Sequence, residues 1–136
     1  MSFKPNLLLF KGVVEIAIPP LLVAAGLSPM DEYILGVPSD SNYKSCGFYL
    51  GVGDEDPEGD NFKPVVQLQL PRINYEESLK YYDVVYDVLR AIDPAAVGMT
   101  VLQRFSATEF PPDQTSSSIY TFYIEYIKLV DDCDNE

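Results

Sequence analysis

The sequence predicts an α+β domain: a mostly antiparallel four-stranded sheet, built from two hairpins, with helices packed on one face. Three observations carry that expectation. Two alternating runs flank an acidic Gly/Pro/Asp loop between positions 46 and 70. A strongly periodic helical segment follows them. A second pair of strand-like runs ends the chain, the last of them rich in aromatic residues. With 136 residues and 47% hydrophobic side chains, the chain has the size and composition of one folded unit. A single domain over 1–130 is expected, followed by an acidic, disordered tail at 131–136.

The N-terminal stretch "PNLLLFKGVVEIAIPPLLVAAG" reads as helical in pieces. Asn6 suits an N-cap, and Leu7, Phe10, Val14 and Ile18 fall near helical spacing. Gly12 and the Pro19-Pro20 pair argue against one long helix. The expectation is a helix to about Ala17 and a short second one from Pro20, with Gly26 as its C′ residue; a buried strand is the alternative. Positions 28–45 mix turn formers with single apolar residues and read as a long irregular loop, a candidate binding loop.

In "CGFYLGVG", Cys46, Phe48, Leu50 and Val52 point one way. Gly47, Tyr49, Gly51 and Gly53 form an opposite, glycine-lined face that a neighbouring backbone can approach. In "FKPVVQLQL", Val66, Leu68 and Leu70 alternate with Gln67 and Gln69, completing a hairpin; Pro64 suits an edge or a strand start. The clearest element is a helix over 75–90. Asn74 with Glu77 resembles a capping box, and Glu76, Lys80, Asp83, Asp87 and Arg90 form one narrow polar stripe. Both flanks of that stripe are apolar, so a second helix or a partner must cover part of it. Asp93-Pro94 ends it. Strands over 99–107 and 119–130 follow. In the latter, Tyr120, Phe122, Ile124 and Tyr126 alternate with Thr121, Tyr123, Glu125 and Ile127.

The net charge is −12, from 21 acidic and nine basic residues. That field repels phosphates and disfavours ordinary nucleic-acid binding. Solubility is the plain reading of the charge; an acidic channel wall and a surface imitating DNA are the functional ones. Cys46 and Cys133 form no disulfide framework and read as reduced thiols in a cytoplasmic setting. Lys11, Glu15, Pro19 and Pro20 interrupt the stretch from Leu7 to Leu27, so neither a membrane span nor a signal peptide is expected.

Chemistry finds little to stand on. The chain has no histidine, which removes the commonest general base and metal ligand. It has no phosphate-binding glycine motif and no zinc-type cysteine spacing. Asp54, Asp56, Glu58 and Gly59 match the first half of a calcium-binding EF-hand loop. The second half fails, because Val65 stands where a bidentate Glu belongs, so a solvated hairpin tip is the better reading. Carboxylate pairs suited to a glycosidase arise by chance among so many acids. No enzyme, metal or cofactor is expected. Tyr81, Tyr82 and Tyr86 on the helix, with Tyr120, Tyr123 and Tyr126 on the last strand, form either an interface stripe or core side chains with hydroxyls at the rim.

The segments "CGFYLGVGDEDPEGDNFKPVVQLQL", "NYEESLKYYDVVYDVLRAI" and "SSSIYTFYIEYIKLV" follow a helical region and a long loop. In that order they resemble phage tail terminator or tail completion proteins of the minor tail protein U type. The likeness covers roughly positions 46–130 and is one of element order; the proline-broken N-terminus departs from it. It implies a virion protein, assembled in the host cytoplasm, that forms a ring, as a hexamer, on the tail tube. There it stops tube polymerisation and docks the head connector. The acidic residues Asp54, Glu55, Asp56, Glu58 and Asp60, or the loop at 108–118, would face the lumen or a partner, and DNA would pass without specific binding. The alternative is an acidic DNA-mimic inhibitor of a nucleic-acid enzyme. Nine of the 21 acids crowd into that loop and the C-terminal tail, which favours loops over a spread mimic surface.

Overall fold

A computed structural model describes residues 3–38, 43–51, 61–71, 73–93, 103–110 and 118–127. In chain order they form helix α1 (Phe3–Ala24), strands β1 (Glu32–Leu35), β2 (Ser45–Leu50), β3 (Asn61–Phe62) and β4 (Pro64–Leu70), helix α2 (Tyr75–Ala91), and strands β5 (Gln103–Phe110) and β6 (Ser118–Ile127). The fold is α+β, as expected. Both expected hairpin pairings are present: β2 runs antiparallel to β4, and β5 antiparallel to β6. Antiparallel pairing of β4 with β6 joins them into one sheet.

The sheet is mostly antiparallel, as expected, and one parallel pair makes it mixed. β1 lies parallel to β2, Glu32 opposite Ser45 and Leu35 opposite Phe48. The loop expected over 28–45 therefore contains an edge strand. The short β3 continues β4: Phe62 faces Tyr126, and Val65 faces Tyr123, in one unbroken register along β6. The gap falls at Lys63 and Pro64. The Gly51 amide donates to the Lys63 carbonyl (2.9 Å), which directs the following residue's backbone towards β6, and Pro64 has no amide to offer there. Pro64 is thus a strand start, as expected, but inside the sheet.

Helix α1 is also a correction. It runs unbroken through Pro19 and Pro20 instead of ending near Ala17. Phe10, Val14, Ile18 and Leu22, one turn apart, are all buried, and this continuous inward stripe holds the helix across the prolines. The carbonyls freed by the missing proline amides belong to Glu15 and Ile16, on the partly or fully exposed side of the helix where water can reach them. The helix closes as its sequence indicates. Gly26 takes φ 75°, its amide donates to the Val23 carbonyl, and the Leu27 amide reaches back to Leu22 (2.9 Å), a Schellman ending. Helix α2 starts as expected, with the Asn74 side chain accepting from the Glu77 amide at 2.7 Å.

One hydrophobic cluster unites the inward residues of α1, the buried residues Tyr81, Val85, Val88 and Leu89 of α2, and one alternating set of strand residues: Cys46, Phe48, Val66, Leu68, Leu70, Tyr120, Phe122, Ile124 and Tyr126. Phe10 of α1 meets Phe48, Phe62 and Tyr126 edge to face, with ring centres 6.0–6.3 Å apart. On the other side, Tyr82 of α2 lies 5.0 Å from Tyr120 and 5.3 Å from Phe122. The helices also pack on each other, which answers the demand of α2 for cover on both flanks.

Candidate interaction surface

The structure divides the six candidate tyrosines. Tyr81, Tyr120 and Tyr126 are fully buried, so the interface reading is corrected for these three: they belong to the chain's own core. The hydroxyls of Tyr81 and Tyr120 are satisfied by neighbouring groups of the chain. Tyr81 donates to the Ser28 carbonyl at 2.7 Å, which leaves the Ser28 hydroxyl as donor in their second contact at 2.9 Å. The Lys44 ammonium donates in turn to that serine and lies 5.7 Å from the Tyr81 ring centre. Ser78 donates to the Tyr75 carbonyl, so the buried 2.9 Å contact between Ser78 and Tyr120 has the tyrosine as donor. Tyr126 stacks on Phe62, its register partner, at 5.9 Å.

Tyr82 and Tyr86 are half-buried. Tyr86 carries the Arg90 guanidinium over its ring at 5.7 Å. Tyr123 alone of the six is exposed, at 46%, on the sheet face opposite the core. Val65 lies between Tyr49 and Tyr123 in the ladder. Burial pushes the Tyr49 phenol up, and nearby Tyr123 adds to that. The acidic loop residues Asp54, Glu55, Asp56, Glu58 and Asp60, and the acidic tail, lie outside the described residues, as does most of the 108–118 loop.

Among the described residues, an exposed apolar surface lies elsewhere. Helix α1 exposes Leu8 (54%), Leu9 (49%), Ile16 (75%) and Val23 (74%) on the side away from its buried stripe. At 100° per residue, Leu8, Gly12, Ile16 and Val23 fall along one line with Leu9 and Pro20 beside it, and no charge interrupts them. A β-carbon on Gly12 would meet nothing within 4 Å, so the stripe has an open notch at its middle. The helix's salt bridge, Lys11 with Glu15, borders the stripe and is partly buried. By length and composition, the segment Leu7–Ala24 is apolar enough to cross a membrane, contrary to the expectation that its charges and prolines disqualify it. Its inward quarter is built into the core all the same. These outward residues were legible in one respect: between Leu7 and Ala24 only Lys11 and Glu15 are charged, so the helix is apolar all round.

Two reactive groups are shielded. Burial pushes the Cys46 thiol far up, with Lys11 only partly opposing it. Burial also raises the Tyr33 phenol, with Cys46 and Glu15 adding to it, and its hydroxyl has no partner. Among the described residues no group of three or more acids or thiols could hold a metal ion. No known protein family matches the chain, and no curated protein is similar to it.

Proposed function

We propose that this chain is a non-enzymatic structural subunit that acts by packing against other protein subunits, at the end of a phage tail tube. The outward apolar stripe of α1 carries the first part of that reading: Leu8, Leu9, Ile16 and Val23 form a contiguous uncharged surface of the kind that marks interaction sites. The finer placement rests on the order of elements, hairpin, helix and hairpin, which resembles that of tail terminator proteins. In that role copies of the chain close a hexameric ring, stop the tube from growing, and present a docking face to the head connector.

Two features support a ring. The sheet ends in different strands, β1 on one side and β5 on the other, so head-to-tail contacts between unlike edges can close by rotation. The charge of −12 suits a lumen through which DNA slides without sticking. The partners are then other copies of the chain, the tube protein and the connector, all within the virion.

Light scattering on the purified chain, with electron microscopy of the same fractions, tests this. A closed ring of roughly six subunits, alone or on added tail tubes, is the expected result. A strictly monomeric chain that neither caps tubes nor limits their length overturns the tail reading. A salt-sensitive complex with a nucleic-acid enzyme would replace it with the DNA-mimic alternative.

A further inference from the structure

We infer that the outward face of α1 is a self-recognition surface on which a second copy of this chain seats its own α1, antiparallel, about a two-fold axis at Gly12. This rests on the reading that the chain packs against protein subunits, and not on any ring number.

The stripe is self-complementary. Leu8 and Ile16 stand one turn either side of Gly12, so the pattern reads large, small, large in both directions. Antiparallel pairing centred on Gly12 sets Leu8 of each copy against Ile16 of the other, the reciprocal arrangement that a two-fold contact requires. The open space over Gly12 lets the two helix backbones approach closely at the axis. The bordering charges agree. Lys11 and Glu15 are centred beside the same point, so each copy brings its lysine towards the other's glutamate, and these four charges sum to zero in a chain of net charge −12.

A bilayer is the competing occupant, and the structure speaks against it. Spanning would pull Phe10, Val14, Ile18 and Leu22 out of the core, where they are 0–1% exposed. Lying on the surface calls for basic residues flanking the apolar face, and Lys4 and Lys11 are the helix's only cations in a strongly acidic chain. A single helix stripe is smaller than the ~800 Å² per partner of a standard interface, so the pairing is a weak, concentration-dependent one.

The test uses the full chain with Cys133→Ser, which leaves Cys46 buried, and adds Gly12→Cys. A disulfide needs Cα atoms within about 7 Å, so oxidised glutathione links the two introduced thiols only if the helices cross at that residue. The expected result is a covalent dimer on a non-reducing gel, lost when Ile16→Asp is added. In parallel, Ile16→Asp alone, at a position too exposed to disturb the core, abolishes the concentration-dependent rise in mass seen by light scattering. Failure to cross-link, with the mass of Ile16→Asp unchanged, overturns the inference; larger particles persisting in that variant leave the subunit reading standing. A wild-type chain that stays monomeric throughout the concentration series and caps no tubes removes both. Uptake of the wild type, but not Ile16→Asp, by neutral phosphatidylcholine vesicles without any cross-linked dimer assigns the face to lipid instead.

Discussion

Phe10 and Cys46 show how single residues bind the layers together. Phe10 fills the space between α1 and three sheet aromatics, so its truncation removes that aromatic contact of the helix with the sheet. Cys46 sits fully buried on β2, and its burial has a pH consequence. Below the thiol's ordinary value of 9.0 both folded and unfolded chains keep the proton. Above it the unfolded chain ionises while the folded one does not, so stability falls, by about 1.4 kcal/mol per pH unit for one group. The raised phenols of Tyr33 and Tyr49 add to the fall above their ordinary 10.0. Denaturant melts across this alkaline range should therefore show declining stability. A Cys46→Ala chain should lose the part of the decline that begins near 9, and the native thiol should resist alkylation until the chain unfolds. A flat stability profile through that window would contradict the burial assigned to Cys46.

Elements differ in how far their own residues determine them. Helix α2 was legible almost to the residue: its Asn74 cap, its exposed stripe of Glu76, Lys80, Asp83, Asp87 and Arg90, and its stop are local signals. Removing the cap with Asn74→Ala should cost about 1 kcal/mol in denaturant unfolding, with no change in the sheet. The glycine-lined face of β2 was legible too. A β-carbon on Gly47 would stand 2.3 Å from the Gly36 carbonyl oxygen and 2.5 Å from the Pro38 ring, so the chain following β1 does press against that strand. Gly47→Ala should destabilise by about 1–3 kcal/mol, well above the effect at open Gly12, and equal effects at the two sites would rule out the close approach. The continuity of α1 was not legible, because packing that lies far away in sequence decides it against two prolines. Strand β1 was hidden for a similar reason: four residues among turn formers gain strand character only from their parallel partner.

For the molecule as a whole, the sequence displayed its charge, its aromatic wealth and its lack of histidine without any structure. Composition could not separate inside from outside on α1, since Ile16 is 75% exposed and Ile18 fully buried; only the helical spacing of Phe10, Val14 and Ile18 marked the inward line. Nor could it divide the tyrosines, because their roles depend on which strand face meets the helices. A net charge of −12 on a chain this small opposes compaction and association alike. Moderate sodium chloride should accordingly raise the melting temperature and strengthen self-association together, through screening within a Debye length of about 8–10 Å. Calorimetry and light scattering along one salt series would check both, and salt that weakened association would show that charge attraction, not the α1 stripe, holds the copies together.

The shared register of β3 and β4 along β6 has a practical consequence. Both ends of the connection from β2 are clamped, at Gly51 by its bond to Lys63 and at Asn61 by its pairing with Ile127. An unstructured insert between two fixed ends adds only a slow logarithmic penalty, about 0.6 kcal/mol per doubling of its length. An epitope or fluorophore tag placed there would leave the pairings at both clamps in their seats.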